Sequence, residues 1–545
     1  MIKMPENCLG GDLFWWQEKS YIHTLITIPG EIGGRNGLGA DTIQQPIITF
    51  ALFDVAGILH ATWQERPAKW QHIFIDSQAI TERYNLGGKL EEGVLAVFIS
   101  TLTELAPEIT KEYSRLYSLL DWYSPQGELV SLHNDQSFRQ RKLKTDFTEI
   151  IFNETVNEEN YLVILNGPES QAANSIQLEI KNHLGVTQQA IYASPLSPFS
   201  LHKLYLHNLF SDLITFCDGK HATLRGRFDS QGLFTRPYVM TQGKYLSGYH
   251  GGDLYQWNNI PGFIYRYLGR GEINPMVALH NHELTTTINL LNTHGDLEED
   301  FWVDARLYDE QGKLLAERER WVLAKRHQLT RGEIRDLLPQ TNESFIGYIA
   351  LNFSHDGKTF YPRRLQALLE YRTAQSTARV MAWSDIWNAR QQVKTLFDQL
   401  GAHLNNFAGL GIKNPPADIK YQCFYRVWCS PSIISYVAIT NCGTTPDYAQ
   451  TITYRMKLEK NNGEYLLYEG KLPPHGTDYA SIAKFFPTIH EFLGENSVAM
   501  AIVESEADLA VMHLSHHQIS GVYSAEHFMH GSNYMDGKYY LPSGA

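Results

Sequence analysis

Histidine is the residue type with the most obvious chemical potential here, at 22 of 545 residues. In ALHNHEL, His280 and His282 stand two apart. On a strand this puts both imidazoles on one face, about 7 Å apart. Such a pair chelates a transition metal if a third ligand converges on it, while Glu283 points to the other face. In MHLSHHQIS, His513 and His517 share a face but lie about 13 Å apart, and His516 faces the opposite way. One ion cannot bridge them without a bulge. His527 and His530 follow downstream. Pairs also arise from composition in so histidine-rich a chain, so no metal site is assigned and the cofactor stays unknown.

Other catalytic patterns are missing or unselective. Glu298, Glu299 and Asp300 read as a solvated loop, and Glu504, Glu506 and Asp508 as an exposed turn. Glycoside hydrolysis needs two carboxyls roughly 5–9 Å apart across a cleft, and spacing along the chain does not select such a pair. No G-x-S-x-G elbow is present. The Gly-rich run PGEIGGRNGLGAD lacks the G-K-[ST] ending of a phosphate loop and reads as a flexible connection. No catalytic residue is assigned.

Composition narrows the class. The formal net charge is -13, and the one basic stretch, Arg139 to Lys144, is followed at once by Asp146 and Glu149. This disfavours nucleic acid and an anionic membrane as partners. The five cysteines are odd in number, and Cys423 and Cys429 lie too far apart for the tight pairs that hold zinc. The first twenty residues lack a signal-peptide core, and no apolar run approaches the roughly 20 residues of a spanning helix. A cytoplasmic protein with free thiols is expected.

At 545 residues the chain exceeds one hydrophobic core. Four stretches repeat one succession of signals. Each begins with an alternating strand, a turn closing on Gly, and a second strand: ITFALFDVAGILHATW, IQLEIKNHLGVTQQAIY, FWVDARLYDEQGKLLAERERW and TITYRMKLEKNNGEYLLYEG. Period-two alternation means one buried and one wet face. Asp or Asn opening the turn and Gly closing it is hairpin chemistry. A short segment with a polar start follows, then a small-residue-rich strand such as GVLAVFIS or VAMAIVES, then a closing hairpin. The expected fold is mainly β, a tandem array of about four diverged antiparallel β-sandwich units over 11–140, 150–255, 272–388 and 420–535. One or two short connecting helices are expected, over 385–407 and within 101–120, with linkers over 256–271 and 408–419.

If the units share ancestry, a site should recur at equivalent positions. The closing hairpins are the place to look, because each ends in polar or aromatic residues. The expected ligand-binding residues are Tyr371, Arg372, Trp383 and Asp385 in the third unit and His516, His517, Glu526 and His527 in the fourth. Aromatic rings would stack on a sugar, while Arg372 and the carboxylates would bond its hydroxyls. The competing reading is that these are strand-end residues capping the sheets.

The third unit carries a resemblance. WVLAKRHQLTRGEI, YIALNFS and LLEYRTAQSTARVMAWSD follow the block order of the sensory rhodopsin transducer family of small β-sandwich domains, and the fourth unit follows it loosely. The resemblance implies a sandwich that binds small molecules, sugars among them, without catalysis, and that assembles into homo-oligomers. Members of that family are single small domains, whereas this chain carries several units. Three functions are therefore carried forward. The first is a non-catalytic protein recognising a carbohydrate or other small polar ligand. The alternatives are a carbohydrate-active enzyme with a His/Glu site, with or without a metal, in the last unit, and a structural or assembly protein.

Overall fold

The computed structural model describes residues 8–18, 23–28, 47–67, 72–100, 118–134, 136–138, 145–228, 233–234, 237–251, 253–254, 271–292, 300–326, 328–339, 344–354, 366–383, 421–442, 448–505 and 509–530. The helix expected over 385–407, the Gly-rich run over 29–41, the connection over 408–419 and nearly all of 256–271 lie outside them. In the segment 101–120, residues 101–117 also lie outside, and residues 118–120 open a strand.

The protein is mainly β and is a tandem array of antiparallel β-sandwiches. The first has eight strands: Cys8–Gln17, His23–Ile28, Ile47–Asp54, Leu59–Glu65, Ile73–Asp76, Glu92–Ser100, Ser118–Tyr123 and Leu129–Asn134. The second has Thr145–Phe152, Glu159–Leu165, Ile176–Lys181, Thr187–Tyr192, Leu201–Tyr205, Ala222–Phe228, Tyr238–Gln242 and Leu246–His250. The third has Gly271–His280, Thr285–Asn292, Phe301–Asp309, Leu314–Ala324, Gln328–Glu333, Phe345–Ser354, Gln366–Arg372 and Thr377–Trp383. The fourth has Tyr421–Cys429, Ile433–Thr440, Ile452–Glu459, Tyr465–Leu472, Thr477–Ser481, Ser497–Ser505, Ala510–His517 and Val522–His527.

In all four, one ladder runs fourth, third, sixth, first and another runs fifth, second, seventh, eighth. In the third and fourth sandwiches the two join into one continuous sheet through the pairs His280–Thr285 and Cys429–Ile434. The signals legible in the sequence are the third–fourth hairpin, the fifth strand, the sixth strand and the seventh–eighth hairpin. The first and second strands complete the set. Between the fifth and sixth strands each sandwich also inserts short helical turns, such as Ser77–Tyr84, capped by the Asp76 carboxylate, and Ile482–Phe485.

One polar contact recurs where the chain crosses from the first ladder to the second. A second-strand side chain bonds the backbone seven residues earlier: Thr24 to Gln17, Asn160 to Asn153, Thr286 to Leu279 and Ser435 to Trp428. Thr24, Asn160, Thr286 and Ser435 are all buried. A crossover leaves backbone groups without ladder partners, and these side chains satisfy them.

The third–fourth turns follow their local chemistry. Asp54, Asn182 and Asp309 each accept two backbone N–H bonds through Oδ1. At Gly57 and Gly312 φ is +86° and +78°, and a Cβ would run into the carbonyl oxygens of Pro198 and Pro474 respectively. Glycine is therefore required twice over, by conformation and by close approach.

The chain divides into two compact bodies, one chiefly Met1–Gln256 and the other chiefly Trp257–Lys460 with Glu464–Asn533. The first holds the first and second sandwiches, the second the third and fourth. Within each body the two sandwiches join in the same way. The Leu201 N–H donates to the Val55 carbonyl at 3.0 Å, and the Thr477 N–H to the Glu310 carbonyl at 3.0 Å. In the first body Trp15, Trp122 and Tyr238 bridge the two sandwiches, with ring centroids 5.0 and 5.4 Å apart. In the second, residues of both sandwiches, including Leu369, Tyr371, Met512 and Leu514, share one core.

Candidate functional site

The expected binding residues divide between core and strand ends. Tyr371 is fully buried, and its hydroxyl donates to the Val277 carbonyl at 2.7 Å and lies 3.5 Å from Met512 Sδ. Burial pushes its phenol far above the usual range. Arg372 is exposed and lies 4.0 Å from Glu333. Trp383 ends its strand, and Asp385 lies outside the described residues. His516 stacks on Tyr523 with ring centroids 4.2 Å apart, and burial lowers its pKa against the opposing pull of Glu283. His517 is buried, and its Nδ1 accepts the Ser520 N–H at 3.4 Å. Glu526 and His527 are the pair brought together: Oε1 accepts the His527 backbone N–H at 2.9 Å and lies 3.6 Å from its Nε2.

The His280–His282 arrangement differs from the expectation. The strand stops at His280, so the two imidazoles do not share a strand face. The Asn281 side chain accepts the N–H groups of Glu283 and Leu284, which turns the chain there. His280 is buried with Nδ1 3.0 Å from Thr285 Oγ1, whereas His282 is exposed beside Glu283.

Another charged group escaped the sequence reading. Glu370 is fully buried between two guanidiniums: Arg379 donates to Oε1 at 2.9 Å and Arg331 to Oε2 at 3.1 Å. Glu370 and Arg379 are cross-strand partners, and Arg331 comes from the fifth strand. Only pairing across three strands assembles the cluster. It is a structural ion network, since all three side chains satisfy one another.

The second sandwich carries an open cleft of about 360 Å³ lined by Glu154, Glu159, His207, Phe210, Asp212 and apolar neighbours including Val156 and Ile214. Glu154 and Glu159 flank the crossover from the first to the second strand. The remaining polar residues come from the helical turns Leu206–Leu209 and Leu213–Cys217 and their flanks. Asn160 holds Glu154 in place, donating to Oε2 from its backbone N–H at 3.1 Å and from its side chain at 2.7 Å. His207 Nδ1 lies 3.7 Å from Glu154 Oε1. Burial raises the Glu154 carboxyl, and the Asn160 bonds oppose that rise. Val156 and Ile214 expose apolar surface at the rim, 81% and 48% respectively. In sequence NETVNEEN looks like an ordinary polar connection, so nothing local marks it as one wall of a cleft.

No known family matches the chain, and no curated protein does. Among solved structures, a glycosyl hydrolase family 2 member from Bacteroides cellulosilyticus is 9% identical over 44% of this chain, with a TM-score of 0.11. The match spans only 26% of that hydrolase chain. The tetra-tandem repeat in the extending region of a large adhesion protein is 8% identical, covering 95% of this chain and 98% of its own, with a TM-score of 0.08. At these TM-scores neither protein informs the fold or the activity of this chain. Among the described residues no helix is long and apolar enough to cross a membrane.

Proposed function

We propose that this is a non-catalytic binding protein whose second sandwich takes a carbohydrate or similar small polar ligand. The observation that carries the reading is the cleft beside Glu154. Its volume of about 360 Å³ suits a ligand of one or two sugar rings. Carboxylates of Glu159 and Asp212 would accept hydroxyl hydrogens, His207 would donate or accept, and Val156 and Ile214 would cover an apolar sugar face. Glu154 is already engaged by Asn160, so its role is to hold the wall and the His207 ring.

The reading is tested by isothermal titration of the full chain against neutral mono- and disaccharides and sugar nucleotides. Binding by at least one of them is expected, weakened at least about tenfold by His207→Ala or Glu159→Ala with unchanged melting temperature. Absence of binding across the panel, or affinity indifferent to both substitutions, overturns it.

A further inference from the structure

The recurring crossover contact gives the four sandwiches a common register, and that register exposes a repeated histidine. Three residues beyond Thr24, Asn160, Thr286 and Ser435 stand Thr27, Val163, Asn289 and Ala438. Their partners on the seventh strand are Leu119, Tyr238, Leu368 and Met512. The next partners, on the eighth strand, are His133, His250, Met381 and His527. Histidine thus fills one structural position in three sandwiches, and methionine fills it in the third. With 22 histidines in 545 residues, composition alone does not produce that coincidence. All four are residue types that ligate transition metals.

The surroundings suit ligation. In the first body, His133 and His250 are both 1% exposed, and their ring centroids lie 4.1 Å apart. Each offers a ring nitrogen within 4.8 Å of the other's. His250 Nδ1 lies 3.1 Å from the Gly251 carbonyl, and in the second body His527 Nδ1 lies 2.9 Å from the Phe528 carbonyl. A carbonyl only accepts, so Nδ1 carries the hydrogen in both rings. In the neutral ring the lone pair is then on Nε2, the tautomer that metal-ligating histidines use when a carbonyl holds the other nitrogen.

In the second body the partner of that lone pair is a carboxylate. Glu526 is 2% exposed, and its Oε1 lies 3.6 Å from His527 Nε2. Two electron-rich atoms at that distance attract only with a proton or a cation between them. Neighbouring ligands of a tetrahedral zinc ion stand about 3.4 Å apart, given bonds of about 2.0–2.1 Å.

The geometry points to the eighth-strand histidine position as a binding site for a zinc-class divalent ion. His133 with His250 supplies ligands in the first body, and Glu526 with His527 supplies them in the second. Other donors, water included, complete the coordination. The site is separate from the cleft beside Glu154 and does not depend on the sugar reading.

The test uses the purified full chain, stripped by a chelator and titrated with Zn²⁺ and with Co²⁺ alone. Saturable binding at two sites is expected, one weakened at least about tenfold by His133→Ala or His250→Ala and the other by His527→Ala, with both unchanged in His282→Ala. His250→Asp, which keeps a ligating atom, is expected to retain Co²⁺ with an altered absorption spectrum. That outcome separates a lost ligand from a disturbed core, and it serves also if an alanine variant does not fold. Failure of either ion to bind saturably, or equal weakening by His282→Ala, overturns the assignment.

Discussion

Thr286 and Leu279 face each other across the crossover of the third sandwich, with Thr286 Oγ1 accepting the Leu279 N–H at 2.9 Å and donating to the Leu279 carbonyl at 3.0 Å. One buried hydroxyl thereby satisfies both backbone groups of a residue that the ladder leaves behind. Thr286→Val keeps the shape and strands both groups. The expected loss is about 1–3 kcal/mol, read from urea denaturation, while Thr285→Val on the neighbouring, partly exposed position costs less. Equal effects at the two positions would refute the role given to the crossover bond.

Glu370 gives a second prediction. Removing it leaves the guanidinium of Arg379, 9% exposed, without its carboxylate. Glu370→Ala should cost about 3–5 kcal/mol, and Glu370→Met combined with Arg379→Leu should recover most of that loss. A double variant as unstable as the single one would show that the uncompensated Arg379 charge is not the source of the loss.

Two buried histidines set a pH dependence. Burial pulls His72 down to about 4 and His513 down to about 3, the latter helped by Arg426. Both rings are neutral in the folded chain, whereas in the unfolded chain they take up protons below the ordinary value of 6.5. Between those limits the unfolded state binds more protons, so stability falls as the pH falls. Each site contributes a slope approaching about 1.4 kcal/mol per pH unit. The contribution is fully present above pH 6.5. Denaturation series from pH 7 to 4 should show a shallower slope in His72→Asn, and an unchanged slope would remove His72 from the account.

The glycine turns separate conformation from contact. Gly57→Ala and Gly312→Ala meet both a positive φ and a carbonyl oxygen, whereas a Cβ at Gly463, φ +87°, meets nothing within 4 Å. Gly463→Ala should therefore cost about 1 kcal/mol, and the other two distinctly more. Thermal melts of the three variants rank them directly.

Some of this was plain in the residues themselves. The turns Asp54–Gly57, Asn182–Gly185 and Asp309–Gly312 were legible because an Asp or Asn side chain and a glycine act within five residues. The alternating Ile452, Tyr454, Met456 and Leu458 are buried as period two requires. The first strands were not legible. In the first sandwich Trp15 and Trp16 are both fully buried, so alternation vanishes where a sheet is covered on both faces. The His280–His282 reading failed because a side-chain turn at Asn281 outcompeted the strand.

Local chemistry along the chain thus determined the class of fold, the number of sandwiches and most of their hairpins, since period-two patterning and turn residues act over a few positions. Tertiary pairing decided what those patterns could not encode: which histidines occupy equivalent positions, which carboxylate lies between two guanidiniums, and where a cleft opens beside Glu154. Such relations join residues tens of positions apart, and only strand register and packing bring them into contact.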